Sequence, residues 1–269
     1  MSANARPGRR RFHVYRFPAD APMISNELDF QPFRQQLAAQ RRVQVGQFLQ
    51  PAAAERLHQC LLHEVPWTLA ERIDGRSHSL EAASYSALDA DSRRVRLDAA
   101  YRRAESGFQY VYDSYPMVEA AKEGRDPGLA LHGVLQFLNS PPFIQFARWF
   151  SGAGGIDLVT AQATRYLPGH FLTVHDDEVA SEGRVLAYVI NLSRDWQADW
   201  GGLLQFIGSS GEVVQSFLPR YNSLSLFHVP QQHSVSLVSP WAAAPRLAIT
   251  GWFLDRSRPA SCASLPAQQ

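Results

Sequence analysis

The stretch Leu172–Glu178 reads LTVHDDE, setting a histidine and two aspartates side by side directly after an apolar run. On a strand, side chains two apart share a face and the one between points away, so His175 and Asp177 can converge on one ion while Asp176 turns aside. A His-x-Asp pair alone suits a hydrogen-bonded pair on a strand just as well. Two histidines and one carboxylate on one face of an octahedral ion leave three positions open, the arrangement of non-haem Fe(II) and oxygen chemistry. The further histidine would be His233 or His228, on either side of Pro230-Gln231-Gln232. His233 opens the alternating run HSVSLV and is the favoured candidate. His228 ends its strand and fits a buried or supporting role equally well. No thiolate joins the set, which disfavours a structural zinc site.

A second constellation is PRLAITGWF, where Arg246, Ala248, Thr250 and Trp252 fall on one face of a strand. An arginine among apolar neighbours inside a sheet is a costly charge unless an anion meets it. An internal Asp or Glu would serve. So would a dicarboxylate cosubstrate, which a guanidinium binds in bidentate fashion while Thr250 adds a hydroxyl donor.

These residues need strands to hold them. After Gly155 the runs IDLVTAQATRYL, HFLTVH, RVLAYVINL, GLLQFI, VVQSFL, SLSLFHV, HSVSLV and RLAITGWFL are short, rich in β-branched and aromatic residues, and broken by Gly, Pro, Asn or Ser. Eight such runs predict a closed or sandwiched antiparallel sheet, a jelly roll or barrel. Upstream the grammar is helical. PFRQQLAAQ is followed by PAAAERLHQCLLHEV, with Pro51 suited to a first turn and Ala54, Leu57, Leu61 and Val65 at three- and four-residue steps. His58 and His63 share no face there and read as surface or satisfied histidines. The segment between Leu80 and Ser106 is charged, a solvated helix or a loop, and PGLALHGVLQFLNSPPFIQFARWFSG gives two more helices split at Ser140-Pro141-Pro142. The expected class is α+β, with residues 1–25 a flexible leader, 26–257 a single domain (helical support 26–155, β core 156–257), and 258–269 a flexible tail.

With 269 residues, 45% hydrophobic and 19% charged, the chain can bury an ordinary core, and a net charge of +1 gives no field that would gather nucleic acid or an anionic membrane. The basic triplet Arg9–Arg11 reads as part of a solvated tail. The expected compartment is the cytoplasm, given no apolar run of membrane-spanning length and two cysteines, Cys60 and Cys262, in unlike contexts. Oligomeric state is not readable from apolar helices that could face either the sheet or a second subunit.

Taken in order, Tyr166, His175-x-Asp177, WGGLLQF, SLSLFHVPQQHSV and PRLAITGWF resemble the iron- and 2-oxoglutarate-dependent dioxygenases of the prolyl 4-hydroxylase-like branch, over about Thr160 to Asp255. RVLAYVINLSRDWQADWGGLLQF, with paired Gly201-Gly202 opening a strand, is similar in spacing too. GFQYVYDS and FLNSPPFIQFARWFSG extend the likeness toward hydroxylases that modify protein prolines, such as those acting on ribosomal proteins.

The resemblance implies a double-stranded β-helix (jelly-roll) core buttressed by N-terminal helices. It implies His175, Asp177 and His233 as Fe(II) ligands, Arg246 on the distal carboxylate of 2-oxoglutarate with Thr250 beside it, and Tyr166 as a further cosubstrate contact. Some relatives add a tyrosine from the strand occupied here by VLAYVINL; its nearest equivalent is Ile190, and Tyr188 on the same face is the substitute. The reaction implied is O2-dependent hydroxylation of an unactivated C–H with decarboxylation of 2-oxoglutarate to succinate, ascorbate (vitamin C) serving as reductant. The expected substrate is a prolyl residue in a protein or peptide. The alternatives are a free or carrier-bound amino acid of secondary metabolism and, in another class, a non-catalytic jelly-roll binding protein. Halogenating relatives lack the carboxylate that Asp177 supplies. Nucleobase-repair relatives carry a second arginine where Trp252 stands.

Overall fold

A computed structural model describes residues 23–179 and 181–257. Most of the expected leader, the tail, Arg9–Arg11 and Cys262 lie outside the described residues. The leader boundary moves: Met23 is buried and Ile24 bridges Leu49, so both belong to the folded body.

In chain order the elements are α1 (Gln31–Gln40), β1 (Arg42–Gly46), α2 (Pro51–His63), β2 (Thr68–Ile73), β3 (Arg76–Glu81), α3 (Ala82–Ser86), α4 (Ala90–Ala104), β4 (Tyr110–Tyr115), α5 (Met117–Glu123), α6 (Ala130–Leu138) and α7 (Pro141–Ser151). There follow β5 (Leu158–Val159), β6 (Gln162–Tyr166), β7 (Phe171–His175), β8 (Arg184–Asn191), β9 (Leu204–Ile207), β10 (Val213–Phe217), β11 (Ser223–His228), β12 (His233–Val235) and β13 (Arg246–Leu254). All eight expected runs form strands, the first of them split into β5 and β6.

The antiparallel order is β1-β11-β8-β13-β6-β4-β7-β12-β9-β10, with β2 joining β4 and β3 joining β2. One layer therefore alternates β11, β8, β13 and β6, and the other β7, β12, β9 and β10. This is the double-stranded β-helix, a jelly roll in which strands from β6 onward alternate between layers, apart from the β9–β10 hairpin.

Residues 26–155 are not only a helical support. They contribute four strands, and β4 joins the two layers: Asp113, Ser114 and Tyr115 pair with β6, while Tyr110 and Val111 pair with β7. The hairpin β2–β3 turns on Asp74-Gly75, both at positive φ (48° and 74°), the pair such a tight turn prefers.

Helices α2, α6 and α7 cover the outer face of the first layer. Leu57 and Leu61 of α2, Val134 of α6 and Phe143 of α7 share one core with Leu186, Ile190, Leu247 and Ile249. Helix α7 starts where Ser140 accepts the Phe143 N–H with Pro141 and Pro142 in its first turn, and ends on Gly152 in the left-handed region. Helix α4 seals the junction of β2, β4 and β7 through Leu97, Ala100 and Tyr101. Its sequence is mostly polar, and burial of Ala100 on one face is what converts a marginal helix into a packed one. His58 is satisfied, as expected, with Nδ1 2.8 Å from the Leu192 carbonyl.

Candidate metal and cosubstrate site

His175 is the last residue of β7 and His233 the first of β12, and the two are direct partners across the ladder. Their rings stand 4.1 Å apart. Asp177 reaches the same point by a different route from strand alternation. The strand has ended, and Asp177 sits in the left-handed region at φ 63°, swinging its carboxylate between the two imidazoles. Its Oδ1 lies 3.2 Å from His175 Nε2 and its Oδ2 3.4 Å from His233 Nε2. Among the described residues these three form the one group of candidate ligands that meet at a common centre.

The tautomers are set by the backbone. His175 Nδ1 lies 3.0 Å from the Thr173 carbonyl and His233 Nδ1 2.7 Å from the Gln231 carbonyl. A carbonyl only accepts, so each Nδ1 carries the proton and each Nε2 turns its lone pair, or a second proton, toward Asp177. Neutral imidazoles facing a carboxylate at this range would oppose lone pair to lone pair unless a cation stood between them. Cis ligands about 2.1 Å from one octahedral ion stand ~3 Å apart, close to the spacings here. The donor set fits a divalent metal. Burial works against the Asp177 carboxylate, yet its contacts with His175 and His233 hold its pKa well below the usual range.

His228 is excluded from this centre. It belongs to a separate cleft with Arg41, Asp255 and Gly155. Asp176 points away as expected, its oxygens accepting from the Glu178 N–H and Gln232 Nε2.

The ligand triad opens into a cavity of about 510 Å³ whose walls include Tyr166, Leu172, Arg246, Thr250 and Trp252. Arg246 is 3% exposed, and among the described residues no carboxylate lies within ion-pair distance of it. Its guanidinium lies over the ring of Tyr166, 4.9 Å from the centroid, and its Nε has no hydrogen-bond partner. Tyr166 is its partner across the β6–β13 ladder. Burial pushes the Tyr166 phenol up to about 12, against the pull of Arg246. A desolvated guanidinium on the wall of a cavity, meeting the Tyr166 phenol and no carboxylate, is a receptor for a carboxylate. The internal ion pair, the alternative open from sequence, is not formed.

Glycine sets the depth of this floor. A Cβ on Gly202, at φ 62°, would stand 3.2 Å from Arg246 Cδ, Trp196 and Val238, and one on Gly201 would meet the Leu237 carbonyl. The WGG segment lets the chain pass behind the arginine stem.

Tyr188 borders the cavity, but its hydroxyl is engaged by the backbone. It projects from the outer face of β8, 1% exposed, with its ring stacked on Phe253 and its hydroxyl donating to the Thr160 carbonyl at 2.9 Å. Ile190 packs on the same outer side; of β8, Ala187, Tyr188 and Val189 all border the cavity. Parity of the strand relative to Arg246 separates them: Val189 is the one paired with Thr250, and Tyr188 pairs with Gly251.

The tyrosine missed in sequence is Tyr112 on β4. It is half-buried on the cavity wall, stacks on Tyr166 with centroids 5.1 Å apart, and has its phenol pKa raised by desolvation. The alternation Phe108, Tyr110, Tyr112 in GFQYVYDS was the available signal, since all three line the cavity.

Comparison with known proteins agrees with the geometry. Residues 161–254 match the model of the 2OG-Fe(II) oxygenase superfamily. The mouse prolyl 3-hydroxylase OGFOD1 is 34% identical over 125 residues, 43% of this chain and 22% of that protein. The Drosophila melanogaster prolyl 3-hydroxylase sudestada1 is 32% identical over 111 residues, 36% of this chain and 20% of that protein. The match thus spans about a fifth of the length of these curated relatives. Among solved structures, a Pseudomonas putida prolyl-4-hydroxylase superposes with TM-score 0.51 at 19% identity, covering 85% of this chain and 100% of that one. A Trichoplax adhaerens prolyl hydroxylase bound to a hypoxia-inducible-factor peptide gives 0.54 at 16%, covering 82% and 87%. A jelly roll, a His-Asp-His cluster and a matching family model over the strands that carry them agree: residues 161–254 are similar to the 2OG-Fe(II) oxygenase superfamily and, in sequence, to prolyl hydroxylases.

Proposed function

We propose that the chain is an Fe(II)- and 2-oxoglutarate-dependent dioxygenase that hydroxylates a prolyl residue in a protein or peptide. One observation carries this: two imidazoles with their Nε2 atoms aimed at one carboxylate share a cavity with a buried guanidinium that has no anion of its own. His175, Asp177 and His233 would hold the iron. Arg246 would take the distal carboxylate of 2-oxoglutarate, with Thr250 on the same strand and Tyr166 against the guanidinium.

When bound, the iron and its cosubstrate supply C–H hydroxylation with O2, 2-oxoglutarate being decarboxylated to succinate. The chain's own work is positional. Thr173 and Gln231 carbonyls orient the imidazoles, Arg246 fixes the cosubstrate's direction, and Leu172, Val189 and Phe227 keep the cavity wall apolar so that water is held off the centre. The prolyl target is supported by the likeness to the two curated prolyl 3-hydroxylases.

The test is purified protein with Fe(II), ascorbate as reductant and 2-oxoglutarate. Succinate release above that of His175→Ala is expected, and equality of the two defeats the reading. Mass spectrometry of cell protein with and without the gene then tests the target, a +16 Da mark on a specific proline being expected to disappear.

A further inference from the structure

Asp177 reaches the metal centre only because its backbone leaves the strand into a left-handed conformation, one that a non-glycine residue does not adopt without support. The neighbour that the ligand count passes over supplies that support. Asp176 Oδ1 accepts the Glu178 N–H at 3.0 Å, closing an Asx turn whose middle residue is Asp177. Its Oδ2 lies 3.4 Å from Gln232 Nε2, and its backbone carbonyl accepts the Gln231 N–H at 3.4 Å. Gln231 is the residue whose own carbonyl holds His233 Nδ1. One aspartate thus bends the segment carrying two candidate ligands and ties it to the segment carrying the third.

We propose that Asp176 is a positioning residue of the metal site, acting through the turn and the cross-loop contact rather than through its charge. This rests on reading His175, Asp177 and His233 as metal ligands. Substituting a group that orients a ligand weakens metal affinity by about 10–100-fold. Asp176→Ala removes both side-chain contacts. Asp176→Asn removes the charge and keeps one oxygen to accept the Glu178 N–H. Gln232→Ala cuts the cross-loop contact from the other side.

The experiment is calorimetric titration of the metal-free full chain with Mn(II), without cosubstrate. We expect Asp176→Ala to bind about 10–100-fold more weakly than wild type, Asp176→Asn to stay within about threefold, and Gln232→Ala to fall between them. Crystals of the metal-free variants should show Asp177 outside the left-handed region in Asp176→Ala and inside it in Asp176→Asn. An Asn variant as weak as the Ala variant is the behaviour of a charge attracting a cation and overturns the proposal; so does unchanged affinity in Asp176→Ala. If the Ala variant does not fold, Asp176→Asn and Gln232→Ala decide between the same outcomes. Wild-type protein that takes up no Mn(II) defeats the metal reading itself, whereas failure of this proposal leaves wild-type binding intact.

Discussion

Replacing Arg246 with Met tests the cosubstrate site against the stability of the fold, because the two readings of that arginine predict shifts of opposite sign. The guanidinium is almost wholly buried, lacks a partner at Nε, and meets no carboxylate among the described residues. Met fills most of the stem's volume and leaves no charge. Removal of an uncompensated buried cation should stabilise the ligand-free protein by ~1–3 kcal/mol, or ~2–10 °C in Tm. The same change removes a bidentate carboxylate contact. Two charge-assisted hydrogen bonds at ~1.5–3 kcal/mol each make ~3–6 kcal/mol, a loss of about two to four decades in 2-oxoglutarate affinity. Thermal unfolding in Mn(II), with and without 2-oxoglutarate, measures both. At 100 times its Kd the cosubstrate should add ~2.7 kcal/mol to wild type and nothing measurable to the variant at the same concentration. A variant that melts below wild type when ligand-free, or that keeps the 2-oxoglutarate shift, would show that the arginine is a structural ion and refute the argument.

Tyr188→Phe should leave the KM for 2-oxoglutarate unchanged and cost ~0.5–1.5 kcal/mol in denaturant unfolding, the worth of the lost hydrogen bond to Thr160; a raised KM would return that residue to the site. Gly202→Ala places a methyl against the Arg246 stem at a positive φ, so the KM for 2-oxoglutarate should rise about tenfold, roughly 1.4 kcal/mol, with Mn(II) affinity intact. Unchanged KM in steady-state assays would show that the floor yields. His170 is buried and its pKa falls to about 4, chiefly through desolvation, so the unfolded chain binds its proton first as pH drops below about 6.5. Stability should therefore decline between pH 6.5 and 4 with a contribution of up to ~1.4 kcal/mol per pH unit, and His170→Leu should flatten that slope. An unaltered slope in urea titrations would place the proton uptake elsewhere.

Much of this site was legible because strands encode their faces in alternate residues. PRLAITGWF put Arg246 and Thr250 on one wall, and the structure agrees. Alternation left two points undecided, and for physical reasons. Parity along VLAYVINL is relative, and without the ladder to β13 nothing in the sequence says whether Tyr188 or Val189 faces inward. Asp177 does reach the two imidazoles, but a left-handed turn rather than a pleat aims its carboxylate. The four upstream strands were hidden between strong helical patterns. The Asp74-Gly75 pair and the aromatic alternation of GFQYVYDS were local signals for three of them. The tie between β4 and both layers is a non-local pairing that no short window contains.

That tie bears on where this chain could be cut. A fragment starting at residue 156 would retain every candidate ligand and the buried arginine, yet it would lose the plank that spans the seam between Tyr166 and Leu172, together with the ring resting on Tyr166. The pocket would then be open along its side, its cation wet and its two ladders unzipped at their shared border. The half that matches the family model is a frame that closes only when the half before it slides in.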